Sequence, residues 1–332
     1  MNKRQVLKSM GATLALSLVL TTAAAAQTVM RYAHVGAEGD IQYWYADEFA
    51  KRVNERFNGR LRVQVFPNSQ LGGAQETVDG VRSGAITLAH HEFGSLANLM
   101  PEMGAFAAPF IYRDGAHAMA ATDPQKSEIM KEMGERLAKE ANVRIIGRLY
   151  RGARQMTAKK PIYSPADLAG ERFRGVPLKL WTSMIKGMGA IPTPVEVAEL
   201  PTALMTGMVI GQENPLTMIN ANRLYEVQTH VMLTAHMQNV LPVFINEKFW
   251  QSLSEEDRNL LLQIAAEVGE ETLALGQKAE VELIDVLKGK GMTFITEKDG
   301  LKVDEFRKSV TTQVTADFPD WKPIMERIAA VK

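Results

Sequence analysis

Arg154 in "RGARQMT" and Arg174 in "ERFRGV" are the side chains best suited to hold an anion in this chain of 332 residues. A guanidinium is planar, stays charged and carries five donors, so it can grip a carboxylate through two parallel hydrogen bonds. One such charge-assisted bond contributes roughly 1.5–3 kcal/mol. Two arginines converging on one anion would also set its orientation. Glu213 and Asn214 in "GQENP" add an acceptor and an amide that both donates and accepts, which suits a carboxylate flanked by hydroxyls. Each has a plainer reading: the arginines as surface charges paired with carboxylates such as Glu171, and Asn214 as a turn residue before Pro215.

Catalytic patterns are missing. The chain has no G-x-S-x-G elbow, no phosphate-binding P-loop, no G-x-G-x-x-G after a strand and no H-E-x-x-H. His90 and His91 are adjacent on a strand reading and face opposite ways, so they do not share one ion. His230 and His236 flank "VMLTA" and lie about 20 Å apart at ~3.3 Å per residue. There is no cysteine, which removes disulfides, thiolate metal sites and cysteine nucleophiles. No enzyme activity, metal or cofactor is expected. The 38 basic and 38 acidic residues cancel, so nothing in the overall charge points to nucleic acid or an anionic membrane.

The elements that position these residues read as two α/β units. "VMRYAHVG" is a strand, Asp40 an N-cap for a helix carrying Ile41, Tyr45, Phe49 and Val53, "LRVQVF" a strand, "GGAQETVDGVRSG" a helix and "AITLAHH" a third strand. This βαβαβ order builds a mostly parallel sheet, which binds ligands beyond the carboxyl ends of its strands. Those ends fall at residues 34–40, 68–72 and 91–94. "VRIIGRLY" reads as the next strand, with "RGARQMT" following it. Ser164, Pro165 and Asp167 form a capping-box start, Gly170 stops that short helix, and "ERFRGV" follows as a strand.

Alternation in that strand sets Arg172 and Arg174 on one face and Phe173 on the other. Arg172 reads as a solvated charge. A helix over about residues 178–187 and the strand "GMVIGQENP" build the second unit, and a separate strand "NVLPVFIN" returns toward the first. A long helix from Ser254 to about Lys288 is long enough to cross a domain boundary. The first residues carry Lys3, Arg4 and Lys8, an apolar run over about residues 12–20 and an Ala-rich end, the pattern of a signal peptide cleaved near Ala26. The run is shorter than the ~20 residues a membrane span needs. The mature chain is therefore expected to be exported, with a Gram-negative periplasm as the simplest compartment.

In the order and spacing of "RYAHVGAEGD", "NGRLRVQVFPNSQLGG", "RGARQMTAKKPIYSPADLAGERFRGVP", "GMGAIPTPVEVAELPTALMTGMVIGQENP" and "LYEVQTHVMLTAH", the mature chain resembles the solute-binding subunits of tripartite ATP-independent periplasmic (TRAP) transporters, the DctP family. The resemblance implies two α/β domains with a hinged cleft and a long helix spanning both, closing on a small organic acid and docking on a sodium-driven permease. It implies domain I at 27–151 plus 240–279, domain II at 152–239 plus 280–332, the signal peptide at 1–26, and a monomer.

By the same resemblance, Arg174 makes the main salt bridge to the ligand carboxylate, Arg154 assists, and Asn214 joins them. His34 and Glu92 come from the first domain, and with Glu76 form a polar wall. An acid facing the ligand favours hydroxyls over a second carboxylate, so a uronate or aldonate is expected, with a C4-dicarboxylate next and a sensor-partner role as a further alternative. The chain departs from relatives at Gly175, inserted before the Val-Pro, and at Ile210, where an aspartate is common. Val197 and Ser95 stand where sialic-acid binders use phenylalanine and arginine, which points away from sialic acid.

Overall fold

The computed structural model describes residues 27–332; the expected signal peptide and its cleavage point lie outside the described residues. The first half alternates strands and helices: β1 (Thr28–Ala33), α1 (Ile41–Arg56), β2 (Leu61–Phe66), α2 (Ala74–Ser83), β3 (Leu88–His90), α3 (Phe93–Leu96), α4 (Gly115–Ala121) and α5 (Glu128–Ala141). Asp40 caps α1 as its residue type predicts, with extended backbone and a carboxylate accepting from Gln42 N–H. Ile41, Tyr45, Phe49 and Val53 form the buried stripe of α1 and pack with Met30, Tyr32 and Val63 of β1 and β2.

β4 (Val143–Ala158) leads to the second half: β5 (Arg172–Gly175), α6 (Lys179–Gly187), β6 (Ile191–Pro194), α7 (Leu200–Met205), β7 (Gly211–Pro215), α8 (Leu216–Ala221) and β8 (His230–Asn246). The chain ends with α9 (Glu247–Ser252), α10 (Glu255–Gly289), β9 (Thr293–Ile295), α11 (Val303–Asp317) and α12 (Lys322–Ala329).

One nine-stranded sheet runs through the molecule in the order β2-β1-β3-β8-β4-β7-β5-β6, with β9 on β8. β4 and β8 pair antiparallel from Val143 opposite Asn246 to Ala158 opposite His230. At one end of this ladder β3 joins β8 at Val243–Ile245. At the other end β7 joins β4 at Arg154–Ala158. Each lobe is thus built on one half of the same two strands, and the segments between the halves are the only β connection between them among the described residues.

Two sequence expectations are corrected here. "RGARQMT" does not follow a strand but is the second half of β4, and "VMLTA" and "NVLPVFIN" are one strand, β8. The reason is mutual pairing: each strand supplies the other's hydrogen bonds through register shifts between Ile145 and Gly147, Tyr150 and Ala153, and Arg154 and Met156. Gly152 at φ 100 and Ala235 at φ 42 lie beside these shifts, where local sequence reads as a break.

α10 spans both lobes. Ser254 caps it by accepting from Asp257 N–H. Arg56 of α1 pairs with its Glu267 at 2.6 Å, and just past its far end Lys290 donates to Asn220 of α8 at 3.1 Å. Gly269 lets it lie on β4, because a Cβ there would collide with Arg148 O.

α11 packs on α6, with a Gly187 Cβ only 2.7 Å from Val310 Cα. α12 returns to first-half elements: Arg327 pairs with Glu132 at 2.7 Å, and Arg113 donates to Ala329 O at 3.1 Å. Trp321 makes this possible by packing on Gly104, where no side chain would fit.

Candidate functional site

A cavity lies between the lobes beside β4 and β8, and Arg151, Arg154, Arg174, Asn214, Glu92 and Glu196 line it. Strand alternation would send residues 151 and 154 to opposite faces. The register shift between Tyr150 and Ala153, with Gly152 in the left-handed region, turns both onto the same cavity wall.

Arg154 is fully engaged by the protein. Its Nε lies 2.5 Å from Glu213 Oε2 and its Nη2 2.8 Å from Glu213 Oε1. Its Nη1 lies 2.9 Å from Glu92 Oε1. Burial works against the charge, but the Glu213 and Glu92 carboxylates hold the Arg154 pKa above its ordinary value. Glu213 also accepts from Trp181 Nε1 at 2.8 Å and His236 Nε2 at 3.0 Å. Burial pushes its carboxyl up, yet Arg154 and His236 bring it down to about 2. His236 has Glu213 on one nitrogen and the Thr234 hydroxyl on the other at 2.7 Å, so the ring is held in one tautomer.

Arg174 is different. It is 2% exposed, and its Nε donates to Val195 O at 2.8 Å. Among the described residues no carboxylate pairs with it, and the expected surface partner Glu171 is held by Lys160 at 2.5 Å. Burial pushes the guanidinium down to about 10, opposed by Glu213 and reinforced by Arg154. It is charged at neutral pH. Arg172, two residues earlier on the same strand, is exposed, and Phe173 between them is buried in the core. The cavity therefore presents one buried cation with donors to spare. Asn214 stands nearby on β7, donating to Gln212 Oε1 at 2.7 Å, and Gln212 donates in turn to Thr157 Oγ1 at 3.0 Å.

On the first-lobe side Glu92 Oε2 accepts from Asn239 Nδ2 at 2.8 Å. His91 lines the cavity and accepts from Glu92 N–H at 2.8 Å; burial and the nearby arginines push its pKa down to about 3. His34, Glu76 and Glu213 are not on the wall. His34 stacks on His90 with ring centres 5.0 Å apart, and burial lowers it to about 4. Glu76 turns back to accept from Gly73 N–H at 3.2 Å. Glu213 sits behind Arg154.

Arg151, Gln42 and Glu196 are among the wall residues that the sequence does not single out. Arg151 pairs with Asp40 at 2.7 Å and donates to Asn239 Oδ1 at 3.1 Å; its position in "RGAR" was the available signal. Gln42 follows the N-cap of α1 and lines the cavity, a position helix periodicity does not mark. Glu196, from the second lobe, places its carboxylate over the start of α2, 2.7 Å from where a Gly73 Cβ would stand. Burial raises its pKa, opposed by Arg174. No local pattern announces that contact.

Two α/β lobes on shared crossing strands, closed over a buried, charged cavity, define a hinged binding protein. The chain belongs to the DctP family, bacterial extracellular solute-binding protein family 7, whose profile matches residues 32–317. It is a solute-binding protein of the periplasmic TRAP type. A solute-binding protein of Roseobacter denitrificans is 31% identical over 324 residues, 97% of each chain. The crystal structure of a Roseobacter denitrificans TRAP solute-binding protein with bound L-galactonate superposes with a TM-score of 0.83 at 30% identity, covering 91% of this chain and 98% of that one. A Polaromonas TRAP protein bound to D-erythronate gives 0.84 at 28% identity, covering 92% and 99%. The 2,3-diketo-L-gulonate-binding periplasmic protein YiaO of Escherichia coli is 29% identical over 314 residues, 94% of each chain.

Proposed function

We propose that this protein captures a sugar acid, a uronate or an aldonate, between its lobes and delivers it to a TRAP-type permease, with no chemistry of its own. The observation that carries the reading is Arg174: a buried guanidinium on the cavity wall, held by one backbone carbonyl and paired with no carboxylate among the described residues. A ligand carboxylate supplies the missing counter-charge. Asn214 lies beside it, and Arg154 orients Glu92 and Glu213 rather than facing the ligand alone. The lobes correspond to 27–151 plus 240–279 and to 152–239 plus 280–321, with the C-terminal helix laid back on the first.

Relatives with bound L-galactonate and D-erythronate support the sugar-acid class. Glu92 and Glu196 on the wall favour the same class over dicarboxylates, since each would repel a second ligand carboxylate. Closure is a population shift: only the closed form lets both lobes touch the ligand. The mature chain acts as an exported monomer. A thermal-shift screen tests the ligand class, because a ligand that binds only the folded state raises the melting temperature. D-galacturonate or L-galactonate is expected to raise it while succinate does not. The reverse pattern would assign the site to dicarboxylates.

A further inference from the structure

Gln42, the second residue of α1, is 2% exposed, lines the cavity, and has an amide oxygen with no hydrogen-bond partner among the described residues. Its amide orientation is set by its neighbour. Nε2 donates to Asp40 Oδ2 at 3.0 Å, and Asp40 is an acceptor only, held by Arg151 at 2.7 Å and buried completely by its neighbours. Turning the amide over would bring two acceptors together. Gly36 leaves the room the side chain occupies, since a Cβ there would run into Gln42 Cγ. The cavity thus holds a buried carbonyl acceptor for which the described residues supply no donor.

Buried polar groups are normally paired, and one left without a partner calls for an explanation. We propose that Gln42 Oε1 accepts a hydrogen bond from a ligand hydroxyl, and that this contact is how the first lobe separates a hydroxyl-bearing acid from a dicarboxylate. An ionised carboxylate cannot donate, so it cannot satisfy the group. Nor does the nearby cation offer compensation, because Arg151 is committed to Asp40 and Asn239. This inference rests on the reading that Arg174 holds the acid end of the ligand.

Calorimetry on the mature protein and on Gln42→Met decides it, with L-galactonate, D-galacturonate, succinate and a deoxy series of the tighter sugar acid as probes. Methionine keeps the length and removes the acceptor. Its sugar-acid affinity is expected to fall about tenfold to a hundredfold, as when a site built to pair a hydroxyl loses that pairing. One deoxy analogue should lose affinity for the wild-type protein and nothing further for the variant. Gly36→Ala, which displaces Gln42 without changing it, should reproduce the loss and serves if Gln42→Met does not fold.

Wild-type binding of sugar acids with undiminished affinity in both variants would overturn this inference alone. So would a loss that is equal for every deoxy analogue, which would mark a structural effect. A wild-type protein that binds no sugar acid, or prefers succinate, would overturn the functional reading and this contact with it.

Discussion

Arg154 Nη1 lies 2.9 Å from Glu92 Oε1, tying a guanidinium on the second half of β4 to a carboxylate just beyond β3. Glu213 holds the opposite edge of the same guanidinium. Arg154 is therefore neutralised from two sides, and Arg174 is the buried arginine left with donors to offer. Two arginines that look alike in sequence have different work.

Replacing Arg154 should cost stability. Arg154→Met would leave Glu213 and Glu92 buried against one another's surroundings without their counter-charge, and removing one member of a buried ion pair costs roughly 3–5 kcal/mol. Urea denaturation of the ligand-free protein at pH 7 checks this. A loss below about 1 kcal/mol would mean the cluster is not held by Arg154.

Replacing Arg174 should cost affinity instead. Arg174→Lys keeps the charge but loses the planar fork, and L-galactonate binding by calorimetry is expected to weaken about tenfold or more. Ligand-free stability should stay near that of the wild type, since only the bond to Val195 O is lost. Unchanged affinity would exclude Arg174 from carboxylate binding.

Acid should destabilise the protein in two stages. His91 and His34 are held at about 3 and 4 by burial. As pH falls below 6.5, the unfolded chain binds protons that the folded chain refuses, so stability declines. Glu213, held at about 2, contributes stability that is complete above about 4.5, its ordinary value, and is lost as pH falls toward 2. Melting temperatures measured from pH 7 to pH 3 should fall throughout. A flat profile between pH 6.5 and 5 would contradict the buried neutral histidines.

Gly73→Ala should weaken ligand binding without unfolding the protein. Its φ of −82 suits alanine, but the new Cβ would meet the Glu196 carboxyl carbon at 2.7 Å. The far end of Glu196 must move off the start of α2, an effect of about 0.5–2 kcal/mol if it resembles the loss of a helix cap. Since the contact joins two lobes, the penalty falls on the closed form. Calorimetry should show a several-fold loss of sugar-acid affinity, with the ligand-free melting temperature unchanged.

Features governed by a few neighbouring residues were legible in the sequence. Asp40 and Ser254 cap α1 and α10, Ser164 and Asp167 form their reciprocal box, and Arg172 and Arg174 lie on a short strand. The strand breaks expected after Tyr150 and in the middle of β8 fail for the same reason that the rest succeeds. A bulge between long strands looks like a turn until the partner strand is known.

The site divides in the same way. Residue chemistry and family spacing pointed to Arg154, Arg174, Asn214 and Glu92 before any fold was available, because a charge's capacity to pair belongs to the residue itself. Which of those charges is already paired belongs to tertiary structure. Arg154 meets Glu213 and Glu92 from distant parts of the chain, and Glu196 reaches Gly73 across the cleft. Local sequence set most of the elements, their order and the supply of cations. Only the packing of two lobes around one shared sheet decided which cation stays free, because long-range pairing, not local spacing, consumes a buried charge.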